Sequence, residues 1–216
     1  MASSHLRCFV ALTPPPALKQ AAAELGRDLY HCFPPHTLRL IPEAQLHLTL
    51  LFLGNVNTAS LPDLTSQLAS ACAAHQPFSL SIKGLGVFPN PYRARVLWCG
   101  VAGDLAVLTA LSEDLCRGLE HQANRDFHLT LGRFQKSLSL RSGQKSLSLR
   151  SGQKSLSLRS GKTPPPQTVL VELLNSHAGF MLPAWQVREV ELFASELTAK
   201  GAIHTRLARW ALGQMS

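Results

Sequence analysis

The chain has 216 residues, of which 45% are hydrophobic and 16% charged, with a formal net charge of +8. That composition supports a substantial core and argues against a disordered chain. No run of about 18 apolar residues exists, which argues against a membrane-spanning helix. The positive charge is local: residues 135–161 hold six Lys or Arg and no acid, and the rest of the chain carries only +2. The high pI therefore does not by itself argue for nucleic acid.

The opening residues Met1 to Arg7 lack a long apolar region, so nothing there reads as a secretory signal. Five scattered cysteines, Cys8, Cys32, Cys72, Cys99 and Cys116, show no CxxC spacing. They read as reduced thiols of a cytoplasmic protein rather than a zinc site or a disulfide framework. Cys8 and Cys99 lie in apolar runs and are expected in the core.

Arg7 to Leu12 reads as a first strand. Thr13-Pro14-Pro15-Pro16 ends it, with Thr13 or a neighbour as the cap of a helix over about 16–30. That helix carries Leu18, Ala21, Ala22, Leu25 and Leu29 at helical spacing. A loop containing Pro34, Pro35 and Pro42 leads to a strand from about Gln45 to Leu53, stopped by Gly54-Asn55. Leu61 to Ala74 is a second helix. Phe78 to Val87 and Arg95 to Val101 are strands expected to pair across the turn Phe88-Pro89-Asn90-Pro91. Asp104 to His121 is an amphipathic helix, and Phe127 to Phe134 is a further strand. Thr168 to Leu174 fits either strand or helix. Val187 to Ser195 and Ala202 to Trp210 are the closing strands. Interleaved helices and hairpin-like strand pairs point to an α+β fold with antiparallel sheets.

Between these elements, Gln135-Lys136-Ser137-Leu138-Ser139-Leu140-Arg141-Ser142-Gly143 recurs letter for letter at 144–152 and 153–161. Solenoid repeats drift in sequence and have periods of about 20 residues or more. Three perfect nine-residue copies read instead as a tandem duplication in a surface loop, which entropy tolerates well. A flexible arm is expected. The alternative is a basic arm that contacts RNA or pairs with itself.

The tetrapeptide His47-Leu48-Thr49-Leu50 returns 81 positions later as His128-Leu129-Thr130-Leu131. On a strand, residues two apart share a face. Each copy is therefore a polar His/Thr pair backed by an apolar Leu/Leu pair. One such His is most often structural, but two in matching strand settings suggest a site. Imidazole exchanges protons near neutrality, and a threonine hydroxyl can hold a phosphate oxygen. Two imidazoles on opposite sides of a phosphorus suit in-line phosphoryl transfer without a metal.

These motifs resemble the paired HxTx motifs of the 2H phosphoesterase superfamily. The resemblance extends to Arg7-Cys8-Phe9-Val10-Ala11-Leu12 with Pro15, to Leu46 through Gly54, to Arg95-Val96-Leu97-Trp98, and to Glu191 through Leu197 with Gly201 and Arg209-Trp210-Ala211-Leu212. It covers about residues 6–134 and 164–213. It is strongest to the RNA 2′,3′-cyclic phosphodiesterases, also called 2′-5′ RNA ligases and known as LigT-like or ThpR-like.

The resemblance implies one bilobal domain over residues 1–216, interrupted by the 135–161 insert, with two antiparallel sheets and outer helices flanking a central cleft. It implies metal-independent hydrolysis of RNA 2′,3′-cyclic phosphate ends to 2′-phosphates, with reverse 2′-5′ ligation at the same site. His47 would be the proton donor and His128 the acceptor, while Thr49 and Thr130 would hold the phosphate oxygens. No cofactor is implied. The expected partner is RNA with a cyclic phosphate end, tRNA fragments included, bound by a monomer and with no membrane involved.

Arg133 is a candidate phosphate ligand by the same resemblance, yet strict alternation puts it on the core face with Leu131, so a bulge or twist would be needed. Phe9 is a candidate to stack on a base, against a role in the core. His204 falls where the family often has tyrosine and is outside the catalytic set. His31, His36, His75, His121 and His177 read as solvated. Three other readings stay open: a 2H enzyme for small cyclic nucleotides or 2′-5′ oligonucleotides, a non-catalytic RNA-end-binding module, and a metalloenzyme. The last lacks a nearby carboxylate pattern to complete a site.

Overall fold

A computed structural model describes residues 4–119, 121–135, 166–198 and 201–214. In chain order it contains β1 (His5–Leu12), α1 (Pro16–His31), β2 (Leu38–Leu40), β3 (Leu48–Asn57), α2 (Leu61–Ala73), β4 (Phe78–Phe88), β5 (Val96–Gly103), α3 (Leu105–Cys116), β6 (His128–Phe134), α4 (Pro166–Ser176), β7 (Trp185–Val187), β8 (Glu189–Thr198) and β9 (Gly201–Ala211). Apart from Gln135, the nine-residue repeats lie outside the described residues.

The strands pair antiparallel in the order β7-β4-β5-β6-β3-β1-β8-β9, with β2 added to β6. The α+β expectation and the β4–β5 hairpin both hold. The expected two sheets are two four-stranded halves of one path. They meet where β3 touches β6 at a single register position, Leu48 opposite Leu129. On one side of the sheet lies the core. Cys8, Val10, Leu12, Leu48, Leu50, Leu51, Leu129 and Leu131 face it from the strands. Leu18, Leu25 and Leu29 of α1, Leu64 and Leu68 of α2, and Leu108, Leu111 and Leu115 of α3 cover it. Their three- and four-residue spacing gives each helix the apolar stripe that the sheet needs.

Local differences from the sequence expectations have physical causes. Thr13 does not cap α1. Pro15 occupies the N-cap with no side-chain bond, and the Thr13 hydroxyl instead donates to Glu191. β3 begins at Leu48, because Glu43–Gln45 form a turn of 3-10 helix. It then runs through Gly54, whose φ of 62° is open to glycine without strain, so that position does not stop the strand, which continues to Asn57. α3 ends at Cys116, where Arg117 is extended and Gly118 has a φ of 79°. The ambiguous segment is the helix α4, which begins with Pro166, a residue suited to a first helical turn. β2 had no sequence signal, being only three residues among prolines.

Cys8 and Cys99 are core residues as expected, and all five cysteines are free thiols. Burial pushes the Cys72 and Cys99 thiols up to about 12. Among the described residues no helix is long and apolar enough to cross a membrane.

Leu129 is fully buried at the junction of the two halves. Leu129→Ala should lower unfolding stability by about 2–5 kcal/mol, as for other buried leucines. Urea titration checks this, and a loss under 1 kcal/mol would mean that the junction does not tie the halves together.

Candidate active site

The two tetrapeptides meet through their leucines. Leu48 and Leu129 are 0% exposed and paired, so the flanking residues project to the opposite side of the sheet. Antiparallel geometry about this pair sets His47 across from Thr130 and Thr49 across from His128. Each imidazole thus faces the other motif's hydroxyl. The sequence candidates His47, Thr49, His128 and Thr130 come together on one surface.

Both histidines are anchored in the same way. His47 Nδ1 lies 2.7 Å from Gln45 O, and His128 Nδ1 lies 2.5 Å from Asp126 O. A carbonyl only accepts, so each Nδ1 carries the proton. Nε2 is left without a protein partner among the described residues, bare in the neutral ring and able to accept a proton.

Their surroundings differ. His47 sits in an aromatic nest: its ring centroid is 4.8 Å from Phe9, 5.3 Å from His204 and 6.5 Å from Phe193. Burial there, with help from His204, His128 and Arg133, pushes the His47 pKa down to about 4, against a smaller opposing effect of the Gln45 carbonyl. His204 is also shifted down by burial, and its Nδ1 is enclosed with no bonding partner among the described residues. His128 packs on Phe88 at 5.0 Å and near Trp98 at 6.0 Å. Trp98 lies so close over Gly86 that a Cβ there would be 2.1 Å from its ring. Glycine is therefore required at position 86.

Arg133 departs from strict alternation. β5 and β6 shift register between Leu97 and Trp98, which pair with Gly132 and Thr130. Leu131 is the extra residue of a β-bulge, and both Leu131 and Gly132 are buried. The bulge re-phases the strand and turns Arg133 to the face of His128 and Thr130. Arg133 is exposed there and close enough to disfavour charge on His47.

Phe9 also lies outside the apolar core. It is on the His47 face, 5% exposed, enclosed by His47, His204 at 4.9 Å and Phe193 at 5.4 Å. Its role there is to wall the His47 ring. Directly opposite Phe9 in the sheet, Phe52 is 62% exposed and is the accessible aromatic on this wall. His75 is not solvated, as its Nε2 is 2.9 Å from Asp114 with the side chain only 12% exposed.

Sequence reasoning missed Asn124. Its side-chain amide donates to Thr49 O at 2.7 Å, and its backbone N–H donates to Leu50 O at 3.3 Å. Its Oδ1 accepts from Asp126 N at 3.2 Å, and Asp126 O holds His128. One residue therefore links the backbone of the first motif to the carbonyl that aims the second imidazole. Ser112 of α3, fully buried, supports this link with its hydroxyl 2.9 Å from Leu50 O and 3.2 Å from Asn124 O. The Asn124-to-Asp126 spacing, an Asx-type turn ahead of a motif strand, was the available signal. Among the described residues no three His, Cys, Asp or Glu side chains converge as a ligand set for a metal ion.

A histidine held at about 4 stays neutral in the folded chain while the unfolded chain takes up a proton near the ordinary value of 6.5. Stability should therefore fall as pH drops from about 6.5 towards 4, and His47→Gln should flatten that dependence. NMR titration should find the His47 midpoint near 4, and a midpoint at 6.5 would remove the basis of this expectation.

Residues 12–98 match the family described as LigT-like phosphoesterase. The RNA 2′,3′-cyclic phosphodiesterase of Archaeoglobus fulgidus is 31% identical over 135 residues, covering 61% of this chain and 74% of that one. The protein of the same name from Aeropyrum pernix is 29% identical over 191 residues, covering 86% and 91%. The crystal structure of E. coli LigT in apo form superposes with a TM-score of 0.64 at 25% identity, covering 98% of this chain and 100% of that one. Its complex with 3′-AMP gives 0.61 at 25% identity, with coverage of 97% and 99%. On these grounds the chain belongs to the LigT-like family of 2H phosphoesterases.

Proposed function

We propose that this chain hydrolyses 2′,3′-cyclic phosphate ends of RNA to 2′-phosphates, by metal-independent acid–base catalysis at His47 and His128. The observation that carries the reading is the antiparallel Leu48/Leu129 contact, about which the two His/Thr pairs are arranged as near-symmetric walls. Relatives named RNA 2′,3′-cyclic phosphodiesterase support the substrate class. So does a solved relative in complex with 3′-AMP, a ribonucleotide carrying phosphate at the same edge of the ribose.

In the proposed reaction a water oxygen attacks phosphorus and the P–O3′ bond breaks. His128 Nε2 takes the proton of the water, and His47, as imidazolium, gives its proton to O3′. Thr49 and Thr130 donate hydrogen bonds to the non-bridging oxygens, where negative charge builds up. Arg133 adds a positive charge beside them, and Phe9 keeps the His47 ring in place. His47 is neutral in the empty cleft. The anionic phosphate reverses the local electrostatics, so His47 gains its proton together with the substrate. With a 5′-hydroxyl in place of water, the same ring opening joins two RNA ends by a 2′-5′ linkage: the O5′–P bond forms, the P–O3′ bond breaks, and the protons move as before. Both walls come from one chain, so a monomer suffices, and cytoplasmic RNA fragments, those of tRNA among them, are suitable substrates.

The test is product analysis on an RNA oligonucleotide ending in a 2′,3′-cyclic phosphate, in EDTA. Wild type should yield a 2′-phosphate, and His47→Ala and His128→Ala should each lose about 10²–10⁴-fold in kcat. Full activity in either variant, or loss of wild-type turnover in EDTA, would sink the mechanism. A phosphodiester with a nitrophenolate leaving group, which needs no proton, separates the roles. It should restore turnover to His47→Ala and leave His128→Ala inactive.

A further inference from the structure

Arg39 of β2 and Arg133 of β6 are direct cross-strand partners, so their side chains share a face. Like charges opposed in this way destabilise a sheet. Neither has a carboxylate within ion-pair distance among the described residues, whereas Arg27, Arg117, Arg125, Arg206 and Arg209 each do. Since the bulge turns Arg133 to the His128 face, Arg39 is on that face too. Its Nη1 reaches across to the other half of the sheet, 3.6 Å from where a Cβ on Gly201 would stand. Gly201 begins β9, the strand that brings His204 against His47. The guanidinium thus bridges the two walls.

Two uncompensated guanidinium groups in one row beside a phosphate site form an anion subsite, because the planar fork pairs well with phosphate oxygens. Arg133 is nearer to the imidazoles and serves the reacting phosphate. Arg39 lies one strand further out on the same face. We propose that Arg39 binds the phosphodiester immediately upstream of the terminal nucleotide, so that the chain selects oligonucleotide over mononucleotide 2′,3′-cyclic phosphates. This inference rests on the cyclic phosphodiesterase reading above.

The experiment compares kcat/KM for a ribonucleoside 2′,3′-cyclic phosphate, a tetranucleotide with the same end, and that tetranucleotide with a neutral methylphosphonate at the penultimate linkage. Wild type should prefer the natural tetranucleotide on the order of tenfold, the size of one charged hydrogen bond, and the methylphosphonate should abolish this preference. In Arg39→Gln the preference should already be gone and the methylphosphonate should have no further effect, while Arg39→Lys should restore part of it. The salt slope of oligonucleotide binding should fall by about 0.7 in Arg39→Gln. Equal kcat/KM for mononucleotide and tetranucleotide in wild type, or a methylphosphonate effect that persists in Arg39→Gln, would overturn the proposal. If no cyclic phosphate is turned over, the phosphodiesterase reading fails, and the dissociation constants of the two tetranucleotides then decide Arg39 alone. Equal constants in wild type would overturn it.

Discussion

The contact between Leu48 and Leu129 is the constraint on which the site depends. It is the register position at which the two halves of the sheet meet. Because side chains alternate along a strand, burying these two leucines forces His47, Thr49, His128 and Thr130 to the other face. A one-residue slip would exchange the two sets. The flanking leucines Leu50 and Leu131, both buried, add apolar area that opposes such a slip. Asn124 and Ser112 then lock the backbones, so the polar residues are aimed by groups that need never touch a ligand.

Electrostatics on the polar face favour an anion. His47, His128, His204, Arg39 and Arg133 stand there. Glu191, the one buried carboxylate nearby among the described residues, is occupied by Arg206 at 2.8 Å and by the Thr13 hydroxyl. Burial and positive neighbours hold the His47 pKa down at about 4. The formal +8 of the chain describes something else, since most of it belongs to the repeats at 135–161. The charge that bears on the site is a few residues, and its effect comes from their position in a partly desolvated setting.

Irregularities near the site matter as much as the regular pattern. The bulge at Leu131 brings Arg133 to the cleft face. A second bulge lies in β3, where Val10 pairs with Leu51 and Ala11 with Thr49, so that Leu50 and Leu51 are both buried. Phe52 is thereby turned out to the row of Phe9 and Phe193. Bulges of this sort re-aim side chains beside active sites, and they leave no clear mark in a hydrophobicity pattern.

Much of the molecule was legible in the sequence, for reasons of local physics. Periodicity located α1, α2, β1, β4, β5, β6 and β9, and the repeated tetrapeptide located the four residues at the centre. Their alternation alone divided them into a polar and an apolar face. The tertiary structure decided what depends on distant partners. It joined the two halves at one leucine pair, stabilised the three-residue β2 by pairing with β6, and re-phased Arg133 through a bulge. It also wrapped Phe9 around His47 and recruited Asn124 from a loop. None of these can be read from neighbours along the chain, because each results from backbone groups and rings finding partners tens of residues away. The two HLTL motifs were visible as identical letters. That each imidazole faces the other motif's threonine, about the paired leucines of β3 and β6, is a consequence of packing.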